Sequence, residues 1–286
     1  MVLSFVQGLV TDEEDARDEE PVDSKGIIAP YAKEILRNLV GVLQTGIQSK
    51  YEPLQTESLN LLHSMCNVLL ADFGQFFGDF MPMMCQILSQ ADCSQLEGKK
   101  LRAKAIETIG SIIIAVADCS DKTPYAAGVK EVTERLSQTL HQGLSDDDPA
   151  DEAIKSTLTQ SAAFLQRDFG PYMEFLFTHL LKDAALDIDF SIENADLPSH
   201  NTEITKVKVQ GLGEQKVTVK TENLIKKVSA FSLIQQVSEG MGTAFAPYCE
   251  QLLPLVVQHM TYEYSHQIKK FSLKTFVNIL VAIGEQ

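Results

Sequence analysis

Two stretches carry the same spelling: FGPYMEFLFTHLL (Phe169–Leu181) and FAPYCEQLLPLVV (Phe245–Val257). Each runs aromatic, small residue, Pro, Tyr, and then an apolar helical pattern. Related openings stand at IAPYAKEIL, FGQFFGDFM and KTPYAAGVK, which give the anchors Tyr31, Phe76, Tyr125, Tyr172 and Tyr248. The intervals between anchors are 45, 49, 47 and 76 residues. Three are near 47, and the last exceeds them by about 29.

Four residues past the anchors stand Ile35, Phe80, Val129, Leu176 and Leu252, and eight past them Leu39, Met84, Thr133, Leu180 and Val256. Nine of these ten are apolar, and spacing of four and eight keeps them on one helix face. Pro just before the anchor suits a first helical turn, where its missing N–H costs little. A second amphipathic segment follows each time: 51–74, 96–120, 149–170, 221–240 and 264–286. Capping residues cluster in the links SKYEP, DCSQ, SDDDP and TYEYS; Asp148 is expected as an N-cap and Pro149 as a first-turn residue.

A repeat of two helices, here called A and B, predicts an all-α solenoid of the HEAT or armadillo type. One solenoid over 1–286 with about five to six helix pairs is expected. Exposed ends of such a stack predict weak self-association. The long interval has its cause at 187–220, an acidic, turn-rich stretch followed by period-two alternation around GLGE. That pattern predicts an inserted acidic loop with a β-hairpin between helices A and B of the fourth repeat. In the segment 11–26, eight of the twelve residues from Asp12 to Asp23 are acidic, and self-repulsion predicts a disordered linker.

The formal net charge of −15 disfavours nucleic acid and anionic membranes and favours basic partners. Cys66, Cys85, Cys93, Cys119 and Cys249 form no CxxC, as expected of reduced thiols. MVLSFVQGLV lacks a basic n-region, and the apolar run IIIAVA (112–117) is too short to span a bilayer. The start reads as the end of an amphipathic helix in a fragment with an added Met1. His63, His141, His179, His200, His259 and His266 form no metal-ligand spacing. No nucleophile elbow or phosphate loop is present. Neither catalysis nor a metal or cofactor is expected.

EGKKLRAKAIETIGSIIIAVA (97–117), SDDDPADEAIKSTLTQSAAFLQRDFGPYM (145–173) and LGEQKVTVKTENLIKK (212–227) resemble repeats of the karyopherin-beta nuclear import receptors, with importin beta-3 as the nearest branch. The likeness spans nearly all of 28–286; residues 11–26 depart from it. It implies a carrier that shuttles between cytoplasm and nucleus and takes basic import signals on an acidic concave face built from B helices. The cargo carboxylates it implies are Glu57 and Glu107, then Asp151, Glu152 and Glu222. It implies binding of FG-repeat nucleoporins between A helices, with Phe76, Phe77 and Phe80 as the pocket aromatics. Ran-GTP contacts are expected mainly in repeats outside this chain. The competing readings are a structural HEAT scaffold and an enzyme-regulating holder. The near-47-residue repeat and its inserted segment favour transport over the scaffold.

Overall fold

The computed structural model describes residues 24–145, 147–187, 190–193, 203–209, 213–219 and 221–284. It falls into two compact units, Met1–Tyr172 and Met173–Gln286. Among the described residues five helix pairs follow one another. The A helices are α1 (Ser24–Ser49), α3 (Phe77–Gln90), α5 (Thr123–Gln142), α7 (Gly170–Ala184) and α9 (Cys249–His259). The B helices are α2 (Glu52–Leu69), α4 (Leu96–Ala117), α6 (Ala150–Leu165), α8 (Thr221–Met241) and α10 (His266–Gly284). The all-α repeat architecture agrees with the sequence reading. Residues 24–26 of the expected acidic linker are helical, as the start of α1; residues 11–23 lie outside the described residues.

The doubled spelling marks a joint. A 3-10 turn leads into α3 (Leu70–Phe76), α7 (Gln166–Phe169) and α9 (Gly242–Tyr248). Each turn begins at a residue with positive φ: Leu70 and Gln166 at 49° and Gly242 at 53°. The N–H groups of Leu70 and Gln166 still close the last bond of the B helix, onto Cys66 and Ala162, before the chain turns. Three residues on stands a fully buried Phe (Phe73, Phe169, Phe245). Its ring meets the anchor aromatic at centroid distances of 6.0 Å (Phe76), 5.8 Å (Tyr172) and 5.9 Å (Tyr248). Burying a Phe removes a large apolar area from water, so this residue pins the start of the A helix. The next turns follow the predicted stripe, with Phe80, Val129, Leu176 and Leu252 buried and all five of Leu39, Met84, Thr133, Leu180 and Val256 buried. Pro30 departs from expectation. It lies inside α1, because that helix starts six residues earlier than the motif suggests.

In the first unit the B helices stack directly, α2 on α4 and α4 on α6, while A helices touch each other only lightly. α4 is the middle layer, which is why Leu101, Ile106, Ile109, Ile112, Ile113 and Val116 are all buried. A side chain at Gly110 would strike Gln160 and Thr157 of α6, and Thr157 Oγ1 donates to Ile106 O at 3.0 Å. The DDDP link is held from α4 as well. Asp148 is buried, its Oδ1 accepts from Ala150 N–H at 3.0 Å, and its Oδ2 accepts from Arg102 Nη2 at 2.6 Å. The residue next to the helix is Pro149, so Asp148 caps α6 from one position further back.

In the second unit α8 packs on α10, and α9 packs on α10. The inserted segment between α7 and α8 contains a three-stranded antiparallel sheet of order β1-β3-β2. β1 is Phe190–Glu193, β2 Glu203–Val209 and β3 Gly213–Val219. β2 and β3 form a hairpin in the register Val209↔Gly213 to Glu203↔Val219. α8 holds the point where the insertion departs: Lys227 Nζ donates to Leu186 O at 3.1 Å and Asn223 Nδ2 to Asp187 O at 3.4 Å. Leu253 and Val257 of α9 and Leu273, Val277, Leu280, Val281 and Ile283 of α10 are exposed, a substantial apolar surface for one helix pair.

Candidate functional site

Stacked B helices offer one face to solvent. In the first unit that face is built from α2, α4 and α6. Helical spacing puts Glu57, Asn60, His63 and Asn67 on the α2 stripe. The α4 stripe carries Lys100, Lys104, Glu107, Ser111 and Ile114, and the α6 stripe Glu152, Ser156 and Gln160. Each of these residues is exposed or half-buried except Ser111, which is tucked against α2.

One polar contact registers α2 against α4. His63 Nδ1 lies 2.8 Å from Ser111 Oγ, and His63 Nε2 lies 3.2 Å from Asn67 Nδ2. The amide nitrogen of Asn67 can only donate, so Nε2 accepts and the proton sits on Nδ1, donating to Ser111. Burial holds the His63 imidazole below its ordinary pKa, the Lys104 cation lowers it further, and Glu107 pulls the other way. The ring is therefore a neutral hydrogen-bonding strut between two B helices.

The five carboxylates fall into different surroundings. Glu57 is exposed and has no ion-pair partner among the described residues. Glu107 is engaged by Lys104 of its own helix, Nζ to Oε2 at 3.3 Å, with the two side chains 25% and 49% exposed. Asp151 binds Lys155 at 2.5 Å, and that ammonium is almost wholly buried. Glu152, beside it, is exposed on the same first turn. Glu222, in the second unit, accepts from Lys226 at 2.7 Å, and that hydrogen bond and charge hold its carboxyl below the usual range. Glu57, Glu107 and Glu152 thus share the B-row face of the first unit, while Asp151 is drawn toward a buried lysine. Surface pairs of this kind are worth under about 1 kcal/mol each.

The face is amphoteric. Lys100 is exposed and has no carboxylate partner among the described residues, and Lys104 stands between it and Glu107. Selecting only acids overlooked these cations, although the i,i+3 and i,i+4 pairings of Lys104–Glu107, Asp151–Lys155 and Glu222–Lys226 are legible in the sequence. The His63–Ser111 contact spans 48 residues and has no local signature.

Phe76, Phe77 and Phe80 are all buried, and Phe80 and Phe73 pack with centroids 5.9 Å apart. They serve α3 as core. Phe77 alone reaches the neighbouring A helix, edge-on to Tyr125 at 5.1 Å and close against Gly128. Among the described residues no group of three His, Cys, Asp or Glu side chains is placed to hold a metal ion. None of the described helices is long and apolar enough to cross a membrane.

No protein-family model matches the chain. In sequence it is similar to a probable importin-5 homolog of Dictyostelium discoideum, 26% identical over 170 residues. That match covers 57% of this chain and 15% of the relative. In fold it is similar to Kap121p bound to Pho4p, with a TM-score of 0.75, 18% identity, and coverage of 99% of this chain and 25% of the other. The structure of Kap121p alone gives a TM-score of 0.75 at 21% identity, over 99% of this chain and 26% of that one. Kap121p bound to Nup53p gives 0.75 at 18% identity, over 99% and 25%. The chain thus spans about a quarter of Kap121p and a smaller part of the importin-5 relative. Sequence likeness to a probable importin-5 homolog and a fold shared with Kap121p both agree with the resemblance drawn from the repeats, and the fold is an all-α solenoid of helix pairs like that of Kap121p.

Proposed function

We propose that the chain is part of a nuclear transport receptor of the importin beta-3 branch that binds cargo on the B-row face of its first unit. The observation that carries this reading is the stack α2–α4–α6, which fixes three polar helix stripes side by side. A rigid row of this kind suits an extended peptide, because the ordering cost on the receptor side is already met by folding. Glu57 and Glu107 are the residues assigned to cargo lysines, and Glu152 extends the row. Asp151 and Glu222 take lesser roles, since Asp151 is held by the buried Lys155 and Glu222 belongs to the second unit. The Kap121p structures with Pho4p and Nup53p support cargo and nucleoporins as partner classes. For a nucleoporin Phe, the place assigned is the groove where Phe77 meets Tyr125 between α3 and α5. Ran-GTP is assigned mainly to repeats beyond this chain. Such a receptor shuttles between cytoplasm and nucleus, and its work is binding and not catalysis.

The test is fluorescence anisotropy of a labelled lysine-rich import-signal peptide titrated with the chain at several salt concentrations. The expected result is binding that salt weakens and that the double variant Glu57→Lys, Glu107→Lys abolishes. Binding unchanged in that variant overturns the assignment of the face. No binding at low salt favours a structural scaffold.

A further inference from the structure

The face assigned to cargo is not uniformly acidic. α4 sets Lys100, Lys104 and Glu107 in one exposed stripe at steps of four and three residues. Lys100 is unpartnered among the described residues, and Lys104 reaches Glu107 at 3.3 Å. The His63–Ser111 contact and the Cys119 Sγ–Ala71 O contact share an offset of 48 residues, so the two segments run in parallel and Glu57 lies level with position 105, beside Lys104. Lys100 and Glu107 are about 10 Å apart along the α4 axis at 1.5 Å per residue. Glu57 and Lys104 are separated by one helix spacing, again about 10 Å. Along either direction, opposite charges recur at the span of about three extended residues. A purely basic segment laid on this surface meets its acids and two like charges together. That juxtaposition is unfavourable.

We propose that this face reads a mixed-charge peptide, with a lysine directed to Glu57 or Glu107 and an acidic side chain about three residues away directed to Lys100 and Lys104. The proposal rests on the reading of this face as the cargo surface and names the class of segment it takes. Lys104 is the specificity-determining residue. Unoccupied, it holds Glu107 and competes with any incoming lysine. A peptide carboxylate draws the Lys104 ammonium to itself and leaves Glu107 to the peptide's lysine, so two ion pairs form where one existed. Ile114, exposed at the far end of the same stripe, gives the apolar part of such a segment a seat.

The experiment compares two labelled peptides by anisotropy. One carries spaced lysines in a Gly/Ser background; the other is identical except for a Glu three residues from the central lysine. Each is titrated with the wild-type chain, with Lys100→Glu, and with the double variant Lys100→Glu, Lys104→Glu. The wild type is expected to prefer the mixed peptide on the order of fivefold, the size of one surface ion pair. The double variant is expected to reverse that preference, and Lys100→Glu alone, at an exposed position, to reduce it. Equal wild-type affinities, tighter binding of the basic peptide, or a ratio unmoved by Lys100→Glu overturns the inference while leaving the cargo face standing. Binding of neither peptide overturns the cargo reading and this inference with it.

Discussion

The lead-in to α7 and the lead-in to α5 solve one problem by different means. At α7 the chain turns through Gln166 at φ 49° and drops Phe169 into the core. At α5 the residue after α4, Asp118, keeps an ordinary right-handed conformation. The place of the Phe is taken by Lys122, which is exposed and rests its ammonium 5.7 Å from the Phe164 ring centroid. A polar cap replaces the apolar pin, since Asp121 Oδ1 accepts from Thr123 N–H at 2.9 Å. That bond holds the Asp121 carboxyl below its usual range. Tyr125 still finds footing edge-on to Phe77, and so the anchor spacing survives without the buried ring. A repeat can therefore keep its period while exchanging the interaction that enforces it.

The largest expected effect separates these two lead-ins. Phe169→Ala should cost about 3–5 kcal/mol in urea unfolding, the range for a buried Phe. Lys122→Ala should cost less than about 1 kcal/mol, the size of an exposed cation–π contact. Similar losses in the two variants would erase the distinction between pin and cap. The backbone turn supplies the next test. Gly242 has open space around its Cβ position, so Gly242→Ala carries only the strain of positive φ, about 1–3 kcal/mol. Gln166→Gly relieves the same strain and should raise the thermal midpoint, with a gain of about 1 kcal/mol. A loss at Gln166→Gly would mean that the Gln side chain, not the turn, sets the joint.

The smallest effect concerns the strut between α2 and α4. Burial depresses the His63 pKa in the folded chain, so the unfolded chain binds the proton more readily. The stability this ring contributes is fully present above the ordinary imidazole value of about 6.5 and is lost as pH falls through the lower folded value. Thermal melts from pH 7.5 to 5 should show a decline that His63→Gln makes shallower. An identical slope in the variant would remove His63 from the account; His259, also depressed by burial, supplies the remainder in the second unit.

The helix stripes could be read directly because their period is local: Val129, Thr133 and Leu136 declare a buried face wherever the helix sits. The aromatic opening was visible too, although its most buried member is the Phe three residues before the anchor, not the anchor itself. The positive-φ turns were hidden, since neither Leu70 nor Gln166 is a residue type that favours that conformation. Burial of Phe76, Phe77 and Phe80 was also hidden, because an A-helix aromatic can face either the core or a groove, and only packing decides. On the candidate site, the sequence reading selected the acids and passed over their lysine neighbours. Which of them share a face depends on the register of α2 against α4, set by a contact across 48 residues.

The departure point of the insertion has a consequence of its own. Lys227 and Asn223, one helical turn apart on α8, grip the carbonyls of Leu186 and Asp187 where the chain leaves α7. The exit of the insertion is thereby fastened beside the helix to which it returns. Loop length then costs little, because closure entropy grows only logarithmically between ends already held together. The segment between Asp187 and Thr221 is a natural grafting point: a reporter or affinity module could be exchanged for it, with α7 and α8 on either side left intact.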